Sequence, residues 1–91
     1  LLAEAMEAAA IKEGLAPDAA RTLVLQTVLG AARMLTESDV APEELRRRVT
    51  SPNGTTQAAV ETFQAGGLDT LVAAAIHAAT VRGQELSVAN D

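Results

Sequence analysis

The sequence predicts an all-α fold, a bundle of about five helices that interlocks with a second subunit. Three observations carry that prediction. Apolar residues recur at helical spacing in five segments separated by proline and glycine, and no hairpin dipeptide joins two β-branched runs. The chain has only 91 residues, of which 48% are hydrophobic, yet Phe63 is its one aromatic residue. Roughly a fifth of the residues are alanine. Alanine lets helix axes approach closely but buries little area per side chain. Even a compact chain of this size buries only about 60–65% of its extended surface, so its own core is thin. Such a core gains most when helices from two chains interlock.

Each predicted element has a local reason. Residues 1–13 are rich in Ala, Leu, Met, Glu and Lys, all strong helix formers, with Leu2, Met6 and Ala9 on one face and Gly14 as a stop. Pro17 suits the first turn of the next helix, where its missing N–H costs nothing, and Asp18 suits the positive helix end. That second helix is predicted to run to about Thr36 and carries two apolar stripes. One is Val24, Leu25, Val28, Leu29, Ala32 and Leu35; beside it lie Leu23, Thr27, Gly30 and Met34. A helix apolar on most of its surface must be buried on most of it, and a 91-residue monomer has little material for that. A partner subunit is therefore expected.

After a turn at 37–41, Pro42 restarts a short helix to about Val49. Its acidic residues Glu43 and Glu44 come first and Arg46, Arg47 and Arg48 come last, in keeping with the helix dipole. The arginines read as a solvated helix end rather than an anion patch. A fourth helix is expected from about Thr55 to Ala65, with Ala59, Val60 and Phe63 as its apolar spine, ended by Gly66 and Gly67. The fifth runs from about Leu68 to Leu86, with Leu68, Leu71, Val72, Ala75, Ile76, Ala79 and Leu86 on the repeating face, and residues 87–91 are expected to fray.

Composition excludes several functions. The chain has no cysteine and one histidine, His77, which removes disulfides, thiolate metal centres, thiol nucleophiles and any site needing two imidazoles. His77 lies off the main apolar stripe with no carboxylate one turn away, so it reads as a surface or interface residue and not as a base. Asp39, Glu43 and Glu44 match no metal-ligand spacing, and no metal is expected. A net charge of −5 argues against nucleic acid and against anionic membranes. No apolar run is long enough to span a bilayer, and no basic region precedes Leu1 as a signal peptide would require. A cytoplasmic location is expected. The chain starts without Met, on an uncapped helical pattern, so it is expected to be one domain, residues 1–91, of a longer protein.

The stretch most informative about chemistry is Ser51-Pro52-Asn53-Gly54-Thr55-Thr56. Proline fixes one torsion, Asn53 tolerates positive φ, and Gly54 accepts any backbone. Two threonines then open a helix. This order is expected to aim the amides of Gly54, Thr55 and Thr56 outward at a positive helix end, which suits a carboxylate or phosphate, with the hydroxyls of Ser51, Thr55 and Thr56 beside them. An ordinary capped helix, with Thr55 bonding an amide two or three positions on, would use the same residue types.

The run Val49-Thr50-Ser51-Pro52-Asn53-Gly54-Thr55-Thr56, followed by Ala59-Val60, Phe63-Gln64 and Gly66-Gly67-Leu68, resembles the signature of pyrroline-5-carboxylate reductases. The upstream stretch from Gln26 to Leu35, Pro42 with Leu45, and the helix from Ala73 to Leu86 are similar to that family as well. The resemblance implies the C-terminal helical domain of a two-domain oxidoreductase, whose absent N-terminal Rossmann domain binds NADPH or NADH; no cofactor is expected on this chain alone, nor activity. It implies a homodimer, with higher oligomers of dimers left open, and 1-pyrroline-5-carboxylate as substrate, reduced to L-proline. It further implies that Ser51, Gly54, Thr55 and Thr56 hold the substrate carboxylate and that Thr56 is also the catalytic residue, lying near the ring nitrogen and aiding its protonation directly or through a water relay. Asn53 departs from the glycine frequent at its position, and Ala41 from a larger polar residue. Two alternatives remain at this stage. One is a stand-alone helical homodimeric interaction module without a small-molecule site. The other is the helical domain of a different dehydrogenase, against which stands Lys12, a lone lysine beside the Gly14 stop.

Overall fold

The computed structural model describes residues 1–89 of the chain. Over these residues it is all-α, with α1 (Leu2–Lys12), α2 (Pro17–Glu37), α3 (Pro42–Arg48), α4 (Thr55–Ala65) and α5 (Leu68–Ala89). The predicted boundaries hold to within a residue except at the C-terminus. There Ser87, Val88 and Ala89 continue α5 instead of fraying, because nothing after Leu86 breaks the helix. The rest of the predicted frayed tail, Asn90 and Asp91, lies outside the described residues.

The chain divides into two compact units, residues 1–47 and the segment from Arg48 onward. In the first, α1 ends on a glycine cap. Leu15 N–H donates to Ala10 O at 3.1 Å and Gly14 N–H to Ile11 O at 3.0 Å, with Gly14 at φ 114°. That positive φ is open to glycine and strained for other residues, which explains the stop and reverses the chain into α2. α1 then packs along α2. The less exposed residues of α1 are Ala3, Met6, Glu7 and Ala10, an i, i+3, i+4, i+7 face. The predicted Leu2–Met6–Ala9 face is corrected here, since Leu2 and Ala9 are exposed. Small residues on the packing face bring the two axes close, and Ala20 and Val24 of α2 become buried beneath them. The Arg21 Nε donates to Glu7 Oε1 at 3.3 Å and ties the pair at its edge.

The arginines at the end of α3 have partners. Arg47 forks onto Glu44 through Nε–Oε2 at 2.7 Å and Nη2–Oε1 at 2.5 Å, and the carboxylate raises the guanidinium pKa. Arg46 and Arg48 are engaged too.

In the second unit α4 packs on α5. Gly67 serves both helices. At φ 78° its N–H closes α4 on Gln64 O at 3.1 Å, while its carbonyl accepts the Leu71 N–H at 3.0 Å and opens α5.

Among the described residues only Ala20 and Val24 are buried hydrophobics. The apolar stripes found in the sequence stand largely in solvent: Leu25, Val28, Leu29 and Leu35 of α2, Phe63 of α4, and Leu71, Val72 and Ile76 of α5 are all exposed. The accessible surface is 7548 Å². Exposed apolar helix faces of this kind mark interaction surfaces.

Candidate functional site

The Ser51–Thr56 segment forms a tight turn that delivers the chain into α4. Gly54 N–H donates to Ser51 O at 3.0 Å, Pro52 fills the second turn position, and Asn53 stands at φ 60° in the third. This is the geometry of a type II turn, in which the third residue must take positive φ. Asparagine is the best-tolerated residue there after glycine.

One sequence expectation is corrected. The Gly54 amide was expected to point outward as an anion donor, but the turn consumes it on Ser51 O. Gly54 instead contributes its missing side chain. A Cβ there would sit 3.2 Å from Ser51 O and 3.5 Å from Ser51 Cβ, tight against the turn itself.

The helix end beyond is open. Gly54 is the N-cap of α4, with φ −85° and ψ 178°, and no side chain caps it. The capped-helix alternative, with Thr55 bonding an amide ahead, is therefore not what the chain adopts. Ala58 N–H makes the first helical bond, to Gly54 O at 3.2 Å. Thr55, Thr56 and Gln57 occupy the first turn, where amides have no carbonyl four residues back within the helix. Their N–H groups sit at the positive end of the helix dipole.

The hydroxyls follow the same logic. Thr27, Thr36, Thr62 and Thr80, inside helices, each spend Oγ1 on the carbonyl four residues earlier at 2.7–2.9 Å. Thr55 and Thr56 lie too early in α4 for that bond. Ser51, Asn53 and Thr55 are exposed, and Gly54, Thr56 and Gln57 are half-buried. The segment thus gathers Ser51, Gly54, Thr55 and Thr56 at one helix end.

Sequence reasoning missed the clamp on this turn. The Gln57 side-chain oxygen Oε1 accepts a hydrogen bond from the Asn53 backbone N–H. Gln57 is the third residue of α4, the position from which a capping-box Glu or Gln reaches back to the N-cap amide; here it reaches one residue further, to Asn53. The signal was therefore present in the sequence. On that side lies an open depression of about 230 Å³ lined by Asn53, Gly54, Gln57, Ala58 and Glu61. The Glu61 carboxylate makes it unsuited to an anion.

His77 sits on α5, exposed, with no part in this cluster. No helix among the described residues is long and apolar enough to cross a membrane, and no group of three or more His, Cys, Asp or Glu is placed to hold a metal.

Residues 1–86 match the family model described as pyrroline-5-carboxylate reductase dimerisation. The chain belongs to this family. A pyrroline-5-carboxylate reductase of Pseudomonas aeruginosa is 55% identical over 87 residues, covering 96% of this chain and 32% of that protein. Pyrroline-5-carboxylate reductase 2 of Bacillus subtilis is 41% identical over 83 residues, 91% of this chain and 30% of that protein. The chain thus spans about a third of the length of these reductases. Among solved structures, a pyrroline-5-carboxylate reductase of Coxiella burnetii aligns with a TM-score of 0.89 at 44% identity, over 93% of this chain and 32% of that one. A Plasmodium falciparum pyrroline carboxylate reductase, solved with NADP bound, aligns with a TM-score of 0.82 at 28% identity, over 85% of this chain and 29% of that one.

Proposed function

We propose that this chain is the C-terminal dimerisation and substrate-carboxylate-binding domain of a pyrroline-5-carboxylate reductase. The full-length protein reduces 1-pyrroline-5-carboxylate to L-proline with NADPH or NADH, the last step of proline biosynthesis, in the cytoplasm. The observation that carries the reading is the uncapped start of α4 in a chain of this family. The substrate carboxylate accepts from the Thr55 and Thr56 amides and from the hydroxyls of Ser51 and Thr55. Gly54 keeps the approach clear of a side chain.

A Rossmann pyrophosphate cradle needs a strand, a Gly-rich loop and a helix, and no strand occurs among the described residues. The cofactor is assigned to an N-terminal Rossmann domain outside this chain, in keeping with the third of each relative that the chain spans.

What this chain supplies is placement. Fixing the carboxylate end of a small rigid ring fixes its imine carbon as well, and holding reactants in register is worth several orders of magnitude in rate. The Thr56 hydroxyl lies at the ring nitrogen and holds a hydrogen bond there, directly or through a water, while that nitrogen gains its proton. A threonine hydroxyl is far too weak an acid to be the net proton source.

A second copy of the chain covers the exposed faces of α2 and α5.

Replacing Thr56 by Ala in the full-length protein tests the site. The expected result is a kcat about tenfold lower or more, the worth of a hydrogen bond to a charged group, with the dimer intact by light scattering. Unchanged kinetics would remove Thr56 from the site.

A further inference from the structure

We propose that Gln57 is a positioning residue for the substrate, acting through the backbone of Asn53 to hold the turn in the one form that presents the start of α4. The inference rests on the site reading above and extends it to a side chain that does not touch the substrate.

Type I and type II turns share their end residues and their closing hydrogen bond. They differ by a flip of the central peptide, here the one joining Pro52 to Asn53. In the type I form the third residue sits near φ −90°, comfortable for asparagine; in type II it must take positive φ. Asn53 stands at φ 60°. Left to itself, a non-glycine residue at that position favours the flip.

The flip would turn the Asn53 N–H away to the other face of the turn. In this structure that N–H is held by Gln57 Oε1. The bond therefore opposes the flip directly, at the one peptide whose orientation separates the two forms. It also joins the turn to the first turn of α4, since Gln57 follows Thr55 and Thr56 in the same helix. Gly54 links the two, its amide closing the turn and its carbonyl starting the helix. When the peptide flips, the Asn53 N–H leaves Gln57, and the turn is no longer tied to the first turn of α4, which presents the Thr55 and Thr56 amides. Glycine at position 53 would adopt positive φ freely and need no clamp.

The test is a double-mutant cycle in the full-length protein, with steady-state kinetics on 1-pyrroline-5-carboxylate. Gln57→Ala is expected to raise KM about fivefold, the worth of one net hydrogen bond, with kcat within twofold. In the Asn53→Gly background the same Gln57→Ala change is expected to leave KM within a factor of about 1.5, because the turn no longer needs holding. An equal KM penalty in both backgrounds would overturn the proposal and make Gln57 a packing residue. An unchanged KM for Gln57→Ala in the asparagine background would overturn it as well. Thr56→Ala run alongside separates the two levels of argument. If it impairs turnover while Gln57→Ala does nothing, the positioning role fails and the site stands; if neither has any effect, the site reading itself fails.

Discussion

Ile76 in the middle of α5 offers the sharpest test of association. Its residue surface is 63% exposed in a single chain, with Val72 at 47% and Leu71 at 67% on the same repeating face. Fully burying an isoleucine side chain is worth about 1.5–3 kcal/mol, so covering the exposed part contributes about 1–2 kcal/mol per chain. Twofold symmetry counts each residue twice, giving about 2–4 kcal/mol per dimer. Ile76→Asp forfeits that and also pushes a carboxylate into the covered face, which makes the figure a lower bound. The dimer dissociation constant is therefore expected to rise at least about 30-fold. The fold of the single chain should change little, since Ile76 is not buried within it. Sedimentation equilibrium of the full-length protein across a dilution series measures the constant, and far-UV circular dichroism reports helix content. A change below threefold, with helix content preserved, would place this face of α5 outside the interface and refute the reasoning from exposed area.

Two further changes probe other links. Gly30 lies inside α2 with open space around the position of a Cβ; Gly30→Leu is expected to weaken the dimer by at least tenfold in the same dilution assay, and an unchanged constant would mean that no helix of the partner crosses there. Gly67 at φ 78° ends α4 and begins α5; Gly67→Ala is expected to cost about 1–2 kcal/mol, read as a lower midpoint in chemical denaturation, and an unaltered midpoint would show that the junction relaxes to a negative φ.

Most of the helical plan was legible because punctuation and periodicity agreed. Pro17 and Pro42 mark helix starts, and Gly14, Gly66 and Gly67 mark ends, each through a backbone property that acts locally. Which face of a helix packs within the chain was less legible. In α1 the sequence points to Leu2, Met6 and Ala9, whereas Ala3, Met6, Glu7 and Ala10 are the less exposed residues, a face rotated by about one residue. The position of the candidate site was readable from its residue types, since a Pro-Asn-Gly turn before two threonines has few uses. Its hydrogen bonding was not. Whether the Gly54 amide faces out or closes a turn depends on the orientation of one peptide plane, and the side chain that fixes it, Gln57, lies beyond the turn. The extension of α5 to Ala89 escaped notice because frayed and helical ends differ by only a few tenths of a kcal/mol per residue.

Among the described residues only Ala20 and Val24 are sealed from water as buried hydrophobics, so each chain has a thin core of its own. On the proposed pairing, most of the apolar surface of each chain is covered by its partner, so the packing of one copy depends on the sequence of the other. When two variants are made in the same cell, a defective copy therefore weakens the sound partner it is paired with.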